Sequence, residues 1–281
     1  MLRPLVAGRR EALQVELLRA LIRYGFEVDV DRDMDLDVFD REACRRAIGD
    51  ARATVVIDCG AAEDHSHDEE PLDDLPIAAE NLAIAAAEHG AHSVFISTGK
   101  VFGEAVGAAS LESDPPTPTS PFGAAALSAE RLVARLNAQH TIVRSGELYG
   151  RRWTGPFDDL LARASSVGHL TVASNPICPP TYVRYLVSTL QALVRRPVYG
   201  IVHRAATGSC NELELARAVV SLLGIDCSIE APAEPEPATL PHLRGACLST
   251  RREELPSIPH WRICLRAWAL DRAHVDERIQ P

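Results

Sequence analysis

Apolar residues in the first part of the chain follow two spacings, one typical of strands and one typical of helices. The segment LRPLVAG (2–8) is a short apolar run that ends in glycine, which is typical of a buried strand followed by a turn. In the next segment (11–25), Leu13, Leu17 and Leu21 recur every four positions, which predicts an amphipathic helix. The chain therefore begins as strand, turn and helix.

The same alternation continues as far as residue 144. The further segments predicted as strands are 26–31, 53–60, 92–98 and 140–144, and those predicted as helices are 41–51, 77–90 and 124–137. Short connections between alternating strands and helices favour a parallel sheet with helices on both faces. The predicted fold class is therefore α/β with a doubly wound parallel sheet, in which ligands bind at the carboxyl ends of the strands.

The pattern is less regular after residue 144. Strand-like and proline-rich segments alternate with helices there, which predicts a smaller substrate lobe beside the sheet domain. We expect the sheet domain to span 1–148, with 182–205 returning to it, and the lobe to comprise 149–181 and 206–281.

Charge and composition exclude two classes of partner. The chain has 281 residues with 29 basic and 39 acidic side chains, a net charge of −10, and its arginines are scattered. This distribution lacks the basic patch of a nucleic-acid-binding protein. No apolar stretch reaches the length of a membrane span, and the N-terminus lacks the apolar region of a signal peptide. We therefore predict a cytoplasmic protein with neither nucleic acid nor membrane as partner.

Two residue types stand out against this background. The seven cysteines are odd in number and widely spaced, with no CxxC pair, which predicts reduced thiols. Lys100 is the only lysine, because every other basic residue is arginine. A composition that disfavours lysine so strongly makes this one a candidate functional residue.

Ordered sequence blocks along nearly the whole chain resemble a known family. The blocks are VFIST (94–98), VFG (101–103), ESDPPTPTSPFG (112–123), IVR (142–144), LYG (148–150), PTYVRYL (180–186), ATGSCNELELA (206–216) and IPHWR (258–262). In this order they are similar to the dTDP-4-dehydrorhamnose reductases, a branch of the extended short-chain dehydrogenases/reductases. The resemblance implies a Rossmann-like fold with a smaller C-terminal substrate lobe, NADP or NAD as cofactor, and a nucleotide-linked sugar as substrate.

The resemblance places a cofactor turn directly after the first strand. The family's GxxGxxG turn, in which glycine lets the backbone approach the pyrophosphate, corresponds here to Gly8, Glu11 and Gln14. Side chains at the last two positions are expected to crowd the phosphates, which disfavours NADP or NAD. Arg9 and Arg10 either offset the charge of Glu11 at the phosphates or are solvated residues of a surface turn.

A second cofactor position lies in the segment LDVFD (36–40). Asp37 matches a family segment close to the adenine. Capping of the following helix accounts for this aspartate equally well.

The catalytic pattern of the family is changed. Its tyrosine acid and the lysine four residues later correspond to Phe122 and Ala126. Phe122 has no proton to donate, and Thr98 remains at the position of the helper hydroxyl. The usual hydride-transfer mechanism is therefore expected to be absent.

Lys100 and Glu147 are candidate replacements for the missing groups. Lys100 follows the strand that ends at Thr98, and Glu147 follows the strand that ends near residue 144. Since neighbouring parallel strands end at one edge, the two side chains are expected to face each other as acid and base. Alternatively, both are solvated loop residues.

The remaining candidates lie on the substrate side. Pro180 and Thr181 are kept from the family's nucleotide-sugar segment, Phe122 lies in the same expected cleft, and Arg144 matches a family arginine. Arg144 either contributes to substrate binding or stabilises the junction between the two parts of the chain.

A metal site is not predicted. The segment EDHSHDEE (63–70) contains ligand residue types, but a solvated acidic loop is the favoured interpretation.

Three functions remain open from the sequence. The first is an enzyme of specialised metabolism that carries out a redox-neutral step on a small molecule, such as cyclisation, elimination, isomerisation or condensation. The second is a non-catalytic partner or regulatory subunit of another protein. The expected partners are a small-molecule substrate and either another protein or further copies of this chain. The third is an NAD(P)H-dependent reductase of a nucleotide-linked deoxysugar.

Overall fold

The computed structural model describes residues 2–8, 12–61, 74–103, 109–150, 155–234, 237–240, 243 and 245–276. The strands are β1 (Pro4–Ala7), β2 (Val55–Asp58), β3 (His92–Thr98), β4 (His140–Ser145), β5 (Leu148–Tyr149), β6 (His169–Thr171), β7 (Pro176–Ile177), β8 (Thr181–Tyr182), β9 (Gly200–Arg204), β10 (Cys210–Asn211) and β11 (Ser228–Glu230). The α-helices are α1 (Ala12–Arg23), α2 (Val30–Asp35), α3 (Arg41–Ala51), α4 (Asp74–Glu88), α5 (Pro121–Leu136), α6 (Asp158–Ser166), α7 (Val183–Arg195), α8 (Glu212–Leu222) and α9 (Trp261–Asp276).

A parallel sheet with the strand order β1, β2, β3, β4, β9 forms the centre of the molecule. Alternate strand residues bury on opposite faces: Val94 and Val143 pack in the core formed with α1 and α7, whereas Phe95 and Ile142 pack in the core formed with α4 and α5. Strands covered on both faces need the uniformly apolar runs seen in the sequence. The α/β fold class with a Rossmann-like parallel sheet is confirmed.

The strand predicted at 26–31 is wrong. Most of that segment is extended coil, and the helix α2 begins at Val30, with Asp29 as its N-cap. Side chains take the place of a neighbouring strand along β1. The backbone N–H of Val6 donates to Asp33 Oδ2 at 2.9 Å, and Gln14 Nε2 donates to the Val6 carbonyl at 3.0 Å. The N–H and the carbonyl of Val6 at this sheet edge are thereby satisfied without a sixth strand.

The opposite edge of the sheet is covered in a similar way. The guanidinium of Arg252 donates to the carbonyls of Ile201 and Tyr199, at 3.2 and 3.3 Å, along β9. β9, which comprises Gly200–Arg204, pairs in parallel with β4. The division into a sheet domain and a substrate lobe stays a prediction.

The prediction that all cysteines are reduced thiols is wrong in this structure. Cys178 and Cys247 form a disulfide that joins segments 69 residues apart. The pairing was not visible in the sequence because a contact between such distant segments depends on the fold.

A thiol titration tests this disulfide. In unreduced, denatured protein we expect five titratable thiols, from the free residues Cys44, Cys59, Cys210, Cys227 and Cys264. After reduction all seven cysteines should react. As a further check, the protein is alkylated in the cell lysate before any reductant is added. Alkylation of all seven cysteines at that stage would show that the bond is absent from the native chain.

Asp58 at the end of β2 makes stability depend on pH. Its Oδ1 accepts a hydrogen bond from the Gly60 backbone, while Oδ2 has no partner among the described residues. Burial raises the pKa of this carboxyl from 3.8 to about 6. Because the folded protein holds the proton more tightly than the unfolded chain, stability should fall as the pH rises from 3.8 through about 6.

Replacement of Asp58 by asparagine should remove this pH dependence. We expect Asp58→Asn to be more stable than the parent at neutral pH, by up to roughly 3 kcal/mol, and no more stable below about pH 4. Urea unfolding across this pH range measures the effect. Asp226→Asn, at an exposed position, is the matched control and should leave the profile unchanged. A profile in Asp58→Asn that is parallel to that of the parent would contradict the assignment.

Candidate active site

Lys100 lies at the carboxyl end of β3, in a 3₁₀ turn formed by Gly99–Phe102. The turn begins at Thr98, whose hydroxyl oxygen accepts a hydrogen bond from the Lys100 backbone N–H at 3.2 Å. Thr98 is itself buried. Its hydroxyl therefore fixes the start of the turn and retains its own proton for a further hydrogen bond.

The structure brings Lys100, Glu147 and Phe122 together. Lys100 Nζ lies 3.6 Å from Glu147 Oε2, and both side chains are partly buried, at 17% and 23% exposed. The ammonium also lies 5.7 Å from the centre of the Phe122 ring, close enough for a cation–π contact. An acid–base pair thus stands at the ends of β3 and β4, where a ligand of this fold is expected.

The N-terminus of α5 supports Lys100 from one side. Ser120 caps the helix by accepting from the Gly123 backbone N–H at 3.0 Å, which places Phe122 in the first turn. Gly123 has no Cβ, and an added one would overlap the carbonyl oxygen of Lys100. The glycine therefore permits close packing of α5 against the lysine turn. Ala126, one turn further along α5, is fully buried.

Arg144 lies in the interior, in an ion pair with Glu130. It is 1% exposed and makes two hydrogen bonds with Glu130, from Nε at 2.8 Å and from Nη2 at 2.7 Å. A buried arginine needs an acceptor inside the protein, so this pairing supports the structural interpretation of Arg144, and its role in substrate binding stays a prediction. Glu130 was missed in the sequence. The signal was a carboxylate at helical spacing with the buried Ala126 and Val133 on the apolar face of α5.

Pro180 and Thr181 also lie beneath the cleft surface. Thr181 is fully buried, and its hydroxyl oxygen accepts from the Ala206 N–H at 2.9 Å. Its backbone N–H donates to the carbonyl of Glu147 at 2.7 Å. Pro180 is buried as well. Thr181 thus fixes the backbone that carries Glu147, and a direct contact of Pro180 or Thr181 with a substrate stays a prediction.

The expectation that Gln14 crowds a phosphate is wrong. The Gln14 side chain has no exposed surface, because its amide turns between β1 and α2 and donates to the carbonyls of Val6 and Asp33 at 3.0 and 2.8 Å. Arg9 and Arg10 lie outside the described residues, as does Glu11.

Small residues stand at the carboxyl ends of β1 and β2, where a dinucleotide would bind in this fold. A Cβ added to Gly8 would lie 3.1 Å from Gln14 Oε1 and 3.4 Å from Cys59 Cβ, so this tight passage favours glycine. Small residues, Cys59, Gly60 and Ala61, follow at the end of the adjacent β2. Glycine and small residues at this place let a backbone approach a pyrophosphate.

Asp37 is exposed, and its Oδ1 accepts from the Phe39 N–H at 2.9 Å. The contact is a local turn before α3, whose N-cap is Asp40. The structure therefore accounts for Asp37 without a ligand.

Among the described residues, no group of three or more His, Cys, Asp or Glu side chains is arranged to hold a metal ion. The segment 63–70 lies outside the described residues. In the described part of the chain, no helix combines the length and apolar character needed to cross a membrane.

Comparison with known proteins gives one family along nearly the whole chain. The family model described as the RmlD substrate binding domain matches residues 2–271. The spore coat polysaccharide biosynthesis protein SpsK of Bacillus subtilis is 28% identical over 280 residues, covering 97% of this chain and 99% of that protein. A dTDP-4-dehydrorhamnose reductase of Mycobacterium tuberculosis is 28% identical, covering 92% of this chain and 93% of that protein.

Solved structures agree on the fold. The crystal structure of a dTDP-4-dehydrorhamnose reductase from Bacillus anthracis in complex with NADP matches with a TM-score of 0.81 and 22% identity, covering 96% of this chain and 99% of that one. A dTDP-4-dehydrorhamnose reductase from Clostridium acetobutylicum matches with a TM-score of 0.80 and 26% identity, with the same coverage.

Proposed function

The chain belongs to the family of the RmlD substrate binding domain, and from this premise we propose that it is an enzyme that reduces the keto group of a nucleotide-linked deoxysugar. The names of its relatives, several of which are dTDP-sugar reductases, support this reaction over the redox-neutral step expected from the sequence. The observation that carries the proposal is the contact of Lys100 with Glu147 at the ends of β3 and β4.

Lys100 is the proton donor in this proposal. Reduction of a ketone places negative charge on the carbonyl oxygen, which then needs a proton. Phe122 has none, whereas the ammonium of Lys100 is held between the Phe122 ring and the Glu147 carboxylate. The Glu147 carboxylate, 3.6 Å from Nζ, holds the ammonium in position. The hydroxyl of Thr98 supplies a second hydrogen bond to the same oxygen.

The cofactor position in this proposal is the turn after β1. A nicotinamide dinucleotide, NADP or NAD, supplies the hydride when bound. Gly8 and the small residues Cys59, Gly60 and Ala61 would hold its pyrophosphate side through close backbone contact. Arg9 and Arg10 are proposed to contribute charge to the phosphates.

A redox-neutral reaction on the same substrate class is the second candidate. Lys100 and Glu147 form an acid–base pair by themselves, so they can remove and return a proton next to the keto group without any hydride. Such a reaction would be an isomerisation or an elimination. A non-catalytic role as a partner or regulatory subunit requires neither group.

One experiment separates these functions. The purified chain is incubated with a dTDP-linked 4-keto-6-deoxysugar, with or without NADPH or NADH, in heavy water. We expect cofactor oxidation in equal amount to the alcohol formed. Deuterium incorporation or rearrangement without cofactor would replace the reductase by the redox-neutral enzyme. Binding of the sugar without any turnover would favour the non-catalytic role.

A further inference from the structure

A buried ion pair lies beneath the turn that carries Lys100. Glu130 on α5 and Arg144 on β4 are 3% and 1% exposed, and they form the paired hydrogen bonds described above. A buried pair of this kind is costly to form unless both partners have their remaining hydrogen bonds satisfied. The remaining contacts of Glu130 and Arg144 therefore identify the part of the structure that the ion pair stabilises.

One set of contacts leads to the exit of the lysine turn. The guanidinium carbon of Arg144 lies 4.9 Å from the centre of the Phe102 ring, in a cation–π arrangement. Phe102 is the last residue of the turn. The turn closes where the N–H of Gly103 donates to the Lys100 carbonyl at 3.1 Å. A shift of the guanidinium would therefore shift the ring and the backbone of Lys100.

A second contact leads to the entrance of the same turn. Ser97 donates from its hydroxyl to Glu130 Oε1 at 2.6 Å. Ser97 directly precedes Thr98, the cap of the turn. One carboxylate thus holds the start of the turn through Ser97 and its end through Arg144 and Phe102.

His203 on β9 fixes the remaining side of Arg144. Its Nδ1 lies 3.1 Å from the Ser110 carbonyl oxygen and 2.9 Å from the Ser249 carbonyl oxygen, so Nδ1 carries the ring proton. Nε2 is then free to accept from Arg144 Nη1 at 3.4 Å. Burial lowers the pKa of His203, which keeps the ring neutral in this role.

We propose that Glu130 and Arg144 are positioning residues that fix the ammonium of Lys100 for proton transfer. The inference rests on the proposed role of Lys100 as proton donor. A displacement on the order of 1 Å at a reacting group costs about a hundredfold in rate. The pair is therefore expected to act on kcat through the lysine turn and to leave substrate affinity unchanged.

The test is a double-mutant cycle with the full-length chain. Arg144→Lys keeps the charge but loses the paired hydrogen bonds and the flat face over Phe102. We expect kcat to fall about 10-fold to 100-fold with KM nearly unchanged. In a Lys100→Ala background, Arg144→Lys should cause no further loss. Independent, multiplying losses in the two backgrounds would overturn the inference.

Phe102→Leu is a second variant that tests the inference even if Arg144→Lys fails to fold. It removes the ring under the guanidinium and leaves the ion pair in place, so kcat should again fall with little change in KM. Arg184→Lys is the matched control, since Arg184 pairs with Asp271 at the surface, and it should behave as the parent. An unchanged kcat in well-folded Phe102→Leu would also overturn the inference. The cycle also contains the single variant Lys100→Ala. Full activity of that variant would contradict the proposed function itself, and this outcome is distinct from the two that overturn the positioning role.

Discussion

Replacement of Lys100 by alanine is expected to lower kcat by about two to four orders of magnitude, the usual contribution of a positioned general acid. The lysine is the one group in the described cleft that combines a transferable proton with an adjacent carboxylate, Glu147 Oε2 at 3.6 Å. Alanine leaves neither the proton nor the charge. Lys100 and Glu147 are 17% and 23% exposed, so water can reach the Glu147 carboxylate in the variant, which should therefore fold normally.

Steady-state kinetics with the keto sugar measure this effect, with circular dichroism as the check on folding. Glu147→Gln should give a smaller loss, because the ammonium remains while its partner loses charge. Lys100→Arg keeps the charge but binds its proton too tightly to transfer it, so it should resemble alanine. A variant Lys100→Ala with parental turnover would remove the catalytic assignment.

The single lysine allows an independent test without mutation. Acetylation converts an amine into a neutral amide, which has no ammonium proton to donate, and Lys100 is the only side-chain amine in the sequence. We expect inactivation to follow the modification of this residue by mass spectrometry, and bound substrate to slow it. Modification of Lys100 without loss of activity would contradict the assignment in the same way as the alanine variant.

Replacement of Arg144 by leucine is expected to lower the free energy of unfolding by about 3 to 5 kcal/mol. The change leaves the Glu130 carboxylate buried and without its guanidinium partner, whereas the Ser97 hydroxyl remains as its donor. An uncompensated charge in the interior costs more than the pair contributes when intact. The loss is a large part of the stability of a typical domain.

The double variant Arg144→Leu, Glu130→Leu should recover most of this loss. Both charges are then absent, and the site is filled by apolar side chains next to the buried Phe102. Urea unfolding of the parent, the two single variants and the double variant gives the coupling between them. If the decrease in the free energy of unfolding of the double variant equals the sum of the decreases of the two single variants, the two residues contribute independently.

The sequence by itself determined the fold class, because strands buried on both faces of a parallel sheet must be apolar throughout and the helices between them must be amphipathic. It placed Lys100 and Glu147 after two strands of this sheet, either facing each other or as solvated loop residues, and the structure shows them 3.6 Å apart. These are consequences of local spacing and of connection rules that hold for any chain of this class.

Only the tertiary structure decided how buried polar groups are satisfied. Gln14 was expected at the phosphates but completes the hydrogen bonds of β1, and Arg144 was expected at the substrate but pairs with Glu130. Likewise, the alternation at 26–31 predicted a strand, whereas the carboxylate of Asp33 occupies the edge that the strand would have filled. A side chain's partner depends on distances across the fold, and residue type along the chain does not contain them.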